Sequence, residues 1–121
     1  MRCIALLITL LALTLPAHAN DAAAIAVIVN PRSGVEKLTR EEVIDIFLGR
    51  YRKLPGGRVA LHIDVAERNP ERARFYQLLV KKSPAEMSSY WARLVFSGQT
   101  SPPFQVPDTR AALELVQSSP N

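Results

Sequence analysis

The chain is nearly without cysteine and histidine. Its single cysteine is Cys3, and its two histidines are His18 and His62. One cysteine cannot close an internal disulfide, and no Cys/His spacing builds a thiolate or zinc centre. His62, alone in the body of the chain, falls mid-strand, where a structural role is expected, and no Ser-His-Asp spacing stands out. No paired carboxylates stand at catalytic spacing and no cofactor motif is present, so no catalytic residues, metal ligands or cofactor are assigned and an enzyme is not expected. Long apolar runs are also scarce. The longest, residues 3–15, is shorter than the roughly 20 residues of a spanning helix.

That run is nevertheless informative. Arg2 precedes it, Pro16 ends it, and Ala17-His18-Ala19 supplies small residues at −3 and −1. These are the parts of a cleavable export signal over residues 1–19, with cleavage expected between Ala19 and Asn20. The expected mature chain, residues 20–121, is one small domain in an oxidising, periplasmic setting. It holds no cysteine and no membrane span, so packing alone must stabilise it. The formal charge of +4 falls to +3 without Arg2. A mildly basic surface suits a small anion or an anionic envelope surface, and an exported chain rarely meets nucleic acid.

The remaining sequence alternates between strand and helix signals. Residues 24–29 are apolar and β-branched, and predict a strand buried on both faces, ending at Asn30-Pro31-Arg32-Ser33-Gly34. Thr39 and Glu42 form a capping box, with Leu38 and Val43 as a hydrophobic staple, and Gly49 stops that helix. Residues 58–64 alternate and predict a second strand with Val59, Leu61 and Ile63 inward. Asn69-Pro70-Glu71 starts the next helix, with Phe75, Tyr76, Leu79 and Val80 inward. Ser83 and Glu86 repeat the capping box. Met87, Tyr90, Trp91, Leu94 and Val95 then make an apolar stripe up to Gly98. Residues 99–107, with three prolines, predict an extended connection, and Asp108 caps a last short helix. The order strand, helix, strand, helix, helix, helix argues for a single layered α/β domain with a parallel strand pair. Two strands make a poor sheet, so either a strand lies hidden in a loop or the sheet is completed from outside.

In open α/β sheets ligands sit beyond the carboxyl ends of the strands. Those ends bring forward Asn30, Arg32 and Ser33 from one loop and Arg68 and Asn69 from the other, an anion half-site of two cations and three neutral polar groups. The same residues also suit ordinary duties, Asn69 as a helix cap and the arginines as solvated surface.

Ile25-Ala26-Val27-Ile28-Val29-Asn30-Pro31, Leu38-Thr39 and Asp45-Ile46-Phe47-Leu48-Gly49-Arg50 resemble the opening of one lobe in the periplasmic phosphate-binding proteins of ABC transporters. Arg72-Ala73-Arg74-Phe75-Tyr76, Ser83-Pro84-Ala85 and Tyr90-Trp91-Ala92-Arg93-Leu94-Val95-Phe96-Ser97-Gly98 are similar to the small single-lobe relatives of that family. The resemblance implies one lobe of a type II binding protein, with its sheet incomplete at the C-terminus. It implies capture of phosphate or another small oxyanion for an ABC permease. Two differences stand out. The Ser-Gly-Thr turn that grips phosphate in the family is replaced by Glu67-Arg68-Asn69-Pro70-Glu71, and no short strand follows the last helix. The alternative expectation is an envelope protein-interaction module that keeps the fold and has lost the ligand.

Overall fold

The computed structural model describes residues 24–121; the expected signal segment, residues 1–19, lies outside the described residues. Pro31–Ser33 forms one 3-10 turn. The helices are α1 (Arg40–Phe47), α2 (Pro70–Val80), α3 (Pro84–Phe96) and α4 (Thr109–Ser118). The strands are β1 (Ile63–Val65), between α1 and α2, and β2 (Phe104–Val106), between α3 and α4. The molecule is therefore mixed α/β, with four helices and a two-stranded parallel sheet among the described residues.

β1 and β2 pair in register Ile63–Phe104, Asp64–Gln105 and Val65–Val106. The ladder is prolonged at both ends by Phe104 N–H to His62 O at 2.9 Å and Ala66 N–H to Val106 O at 2.8 Å. Parallel neighbours need a long crossover, and here α2 and α3 provide it. β2 is the strand hidden in the proline-rich connection. Pro102 and Pro103 stop just before it and Pro107 follows it, so no proline interrupts the ladder.

Two strand expectations are corrected. Residues 24–29 join no ladder, and Val27, Ile28 and Val29 are 40, 48 and 38% exposed instead of buried on both faces. They run extended along an apolar groove of about 460 Å³ whose other walls include β1. A ladder needs backbone hydrogen bonds to a neighbouring strand, and among the described residues none joins 24–29 to β1. The strand expected over 58–64 is shorter and later. Its first half folds back on residues 52–54 through the turn at Gly56 and Gly57: Leu54 N–H reaches Arg58 O at 2.7 Å and Ala60 N–H reaches Arg52 O at 2.8 Å. Its inward parity is also reversed. Val59 and Leu61 are exposed, whereas Asp64 is buried.

The helix starts follow the sequence closely. In α1, Glu42 N–H donates to Thr39 Oγ1 at 3.2 Å while Thr39 N–H donates to Glu42 Oε2 at 2.7 Å. In α3, Ser83 and Glu86 repeat the exchange at 3.2 and 2.8 Å. Arg40 ties α1 to α2 by donating to the terminal carbonyls of Leu78 and Leu79 at 3.1 and 2.6 Å, a cation where a helix dipole is negative. The core joins the end of α1 to α2 and α3: Leu48, Tyr76, Met87 and Trp91 are buried together, with Ile44, Phe75, Val80, Tyr90 and Leu94 against them. Val95, expected in the stripe, is exposed. Gly49 has φ +68°, and a Cβ there would stand 2.8 Å from Thr100 Cγ2 and 3.0 Å from the Trp91 ring. Only glycine fits that approach.

Candidate functional site

Asp64 is the middle residue of β1, and its side chain points toward α2. Arg72 and Tyr76 stand four residues apart on α2, hence on one face. Arg72 Nε donates to Asp64 Oδ2 at 2.8 Å, and Tyr76 OH donates to the same oxygen at 2.9 Å. Both charged side chains are 5% exposed. The guanidinium also lies 5.0 Å from the centre of the Tyr76 ring, a cation–π contact. Burial, followed by the negative charge of Asp64, pushes the Tyr76 hydroxyl far above its ordinary value, so it stays protonated and donating. The trio fixes Arg72 as a charge held below the surface.

Arg72 is not fully satisfied by this pairing. Its Nη1 is buried without a hydrogen-bond partner, and so are His62 Nε2 and Trp91 Nε1. All three residues line the same cleft, about 780 Å³, between residues 59–62, α3 and residues 100–105. An unpaired buried polar group costs about 1–3 kcal/mol, so three along one cleft mark a place where a partner would be favourable. Burial is the main cause that holds the His62 ring below its usual pKa, and Arg52 adds to it; a backbone hydrogen bond at Ala60 and the charge of Asp64 oppose it. The ring is therefore neutral near pH 7.

The residues expected to hold an anion stand elsewhere. Asn30 is buried and works as a latch: Nδ2 donates to the carbonyls of Val116 and Gln117 at 2.7 and 3.2 Å, and Oδ1 accepts from Arg32 N–H at 2.7 Å. Ser33 is buried, and its Oγ accepts from Val35 N–H at 3.2 Å. Asn69 caps α2 by accepting from Glu71 N–H at 2.9 Å. Arg32 and Arg68 are exposed. The two loops mark opposite ends of α4. Its last carbonyls bind Asn30, while Thr109 at its start donates to Glu71 at 2.6 Å. Ten helical residues span about 15 Å, so the two contacts stand at the two ends of that helix. The free amides at the starts of α2 and α4 are likewise met by the protein's own groups, Asn69 and Asp108.

Sequence reasoning missed Asp64, Arg72 and Trp91 as site residues. A signal was present: Asp64 ends a run otherwise inclined to strand, and Arg72 sits one turn before Tyr76 on the apolar face of its helix. Opposite charges on two inward faces point to a buried pair.

Among the described residues no helix is long and apolar enough to cross a membrane, and no group of three His, Cys, Asp or Glu side chains is placed to hold a metal ion. No protein-family model, curated protein or solved structure matches the chain.

Proposed function

We propose that this chain is an exported, non-enzymatic binding domain that captures a small anion, in the manner of a single lobe of the periplasmic phosphate-type binding proteins, and delivers it to an envelope partner such as an ABC permease. The observation that carries the reading is Arg72, a fixed guanidinium 5% exposed, paired with Asp64 through Nε and bordering a cleft with Nη1 unpartnered. A fixed arginine with spare donors is a suitable group for carboxylate or phosphate recognition. The rest of the trio orients that arginine and performs no chemistry. Export is tested by N-terminal sequencing of the protein from the envelope fraction, which is expected to begin at Asn20. Binding is tested by calorimetric titration with phosphate and with small carboxylates. Heat with either class supports the reading. A folded sample that gives no heat with any of them at millimolar concentration would falsify it.

A second reading, an envelope interaction module, is favoured by the exposed apolar side chains of Val27, Ile28 and Val29 along the groove. It predicts self-association or a stable co-purifying protein. A strictly monomeric protein that retains no partner counts against it.

A further inference from the structure

The cleft of Arg72 carries its own statement about the ligand. Arg72 Nη1 and Trp91 Nε1 can only donate, so each calls for an acceptor oxygen. Nε2 of His62 is unpartnered as well, and with the neutral ring's proton assigned to Nδ1 it is an acceptor. The occupant must therefore carry both acceptor oxygens and a donor. Charge narrows it further. Arg72 is paired with Asp64, and the cleft wall carries one further cation, Arg52, and one carboxylate, Glu67. With no net positive charge, the cleft offers little to a dianion, while one negative charge is met by the fixed guanidinium. Val59, Leu61 and Phe104 supply apolar surface that an inorganic ion would leave unused. All three are exposed, at 62, 42 and 57%.

We infer that this cleft binds a small organic monocarboxylate bearing a hydroxyl or amine donor next to its carboxylate and an apolar body. This rests on the small-anion reading above and names its site and ligand class. The carboxylate accepts from Arg72 and Trp91, the donor reaches His62 Nε2, and the apolar body covers Leu61 and Phe104. The three polar atoms lie out of contact with water, so the ligand reaches them as the wall at residues 100–103 shifts. Thr100 in that wall is tied to Arg52 Nη2 by one hydrogen bond of 3.3 Å at the surface. Breaking an exposed bond of that length asks little of the ligand.

Trp91 is the only tryptophan, so its indole N–H gives a single side-chain resonance that reads the cleft directly. The purified protein is titrated with 3-phenyllactate, with 3-phenylpropionate, which lacks the hydroxyl, and with phosphate, following that resonance and the heat. The expected result is a saturable shift with 3-phenyllactate, about tenfold weaker binding of 3-phenylpropionate, and no shift with phosphate. In His62→Phe, which keeps a ring in place, the two acids are expected to bind equally. A stationary indole resonance with 3-phenyllactate overturns the inference. So does a shift with phosphate only, or equal binding of the two acids by the native protein. Heat with phosphate and a silent indole would defeat this inference and leave the small-anion reading standing, whereas absence of heat with every ligand defeats that reading itself.

Discussion

Asp64 shows how one side chain can organise both the stability and the site of a small domain. Its Oδ2 holds Arg72 and Tyr76 at once, and all three are buried. Removing one partner of a buried pair leaves a desolvated charge. Asp64→Ala is therefore expected to cost about 3–5 kcal/mol in urea denaturation, a large share of a small domain's stability. Tyr76→Phe removes a single hydrogen bond to a charged group and is expected to cost about 1.5–3 kcal/mol. Equal, negligible effects of both changes would contradict the buried trio. His62 adds a pH dependence of known sign. Burial lowers its folded pKa below the usual 6.5, so the unfolded chain takes up the proton first and stability is lost as pH falls below 6.5. Denaturation midpoints of the native protein are expected to fall from pH 7 to pH 5 more steeply than those of His62→Phe, whose Phe47 neighbour can still pack edge-on. At this scale the caps at Thr39, Asn69, Ser83 and Asp108 were legible in the sequence, because each acts on its own turn. The role of Asp64 was not, because its partners lie eight and twelve residues away across an element boundary.

The helices were legible as elements because capping and apolar spacing are local signals. Both capping boxes are present with their two reciprocal hydrogen bonds. Thr39→Ala and Ser83→Ala are each expected to cost about 1 kcal/mol, and to add in the double variant because the sites share no partner. Glu86, fully exposed, is held below its usual pKa chiefly by the backbone hydrogen bond at Ser83. Its contribution is accordingly present above pH 4.5 and lost as pH falls through its folded value, a dependence that Glu86→Gln should abolish in acid denaturation. The strands were poorly legible. β1 and β2 are three residues each, too short for alternation to register, and β2 is flanked by prolines that read as connection. Residues 24–29 have the stronger strand composition yet join no ladder, since a strand is made by its neighbour and not by its own residues.

At the scale of the molecule, the sheet has two strands among the described residues, with α4 lying against both of them. The α/β class was legible from the alternation of signals. Residues 24–29 edge a groove that β1 also lines and pair with no strand. Of the half-site expected at the strand ends, Asn30 is engaged with the last carbonyls of α4, and Asn69 caps one amide at the start of α2. The guanidinium that β1 and α2 bury is instead the group on which the proposed anion binding rests. The account thus rests on one claim, that a small, exported, mildly basic domain binds a small anion next to Arg72. Calorimetric titration of the native protein and of Arg72→Lys tests it most directly. Lysine keeps a charge for Asp64 but has one nitrogen in place of the guanidinium fork, and its fold is checked by circular dichroism. The account predicts saturable heat in the native protein, weakened at least about tenfold in the folded variant. Equal affinity in the two proteins, or no heat in either at millimolar ligand, would contradict it.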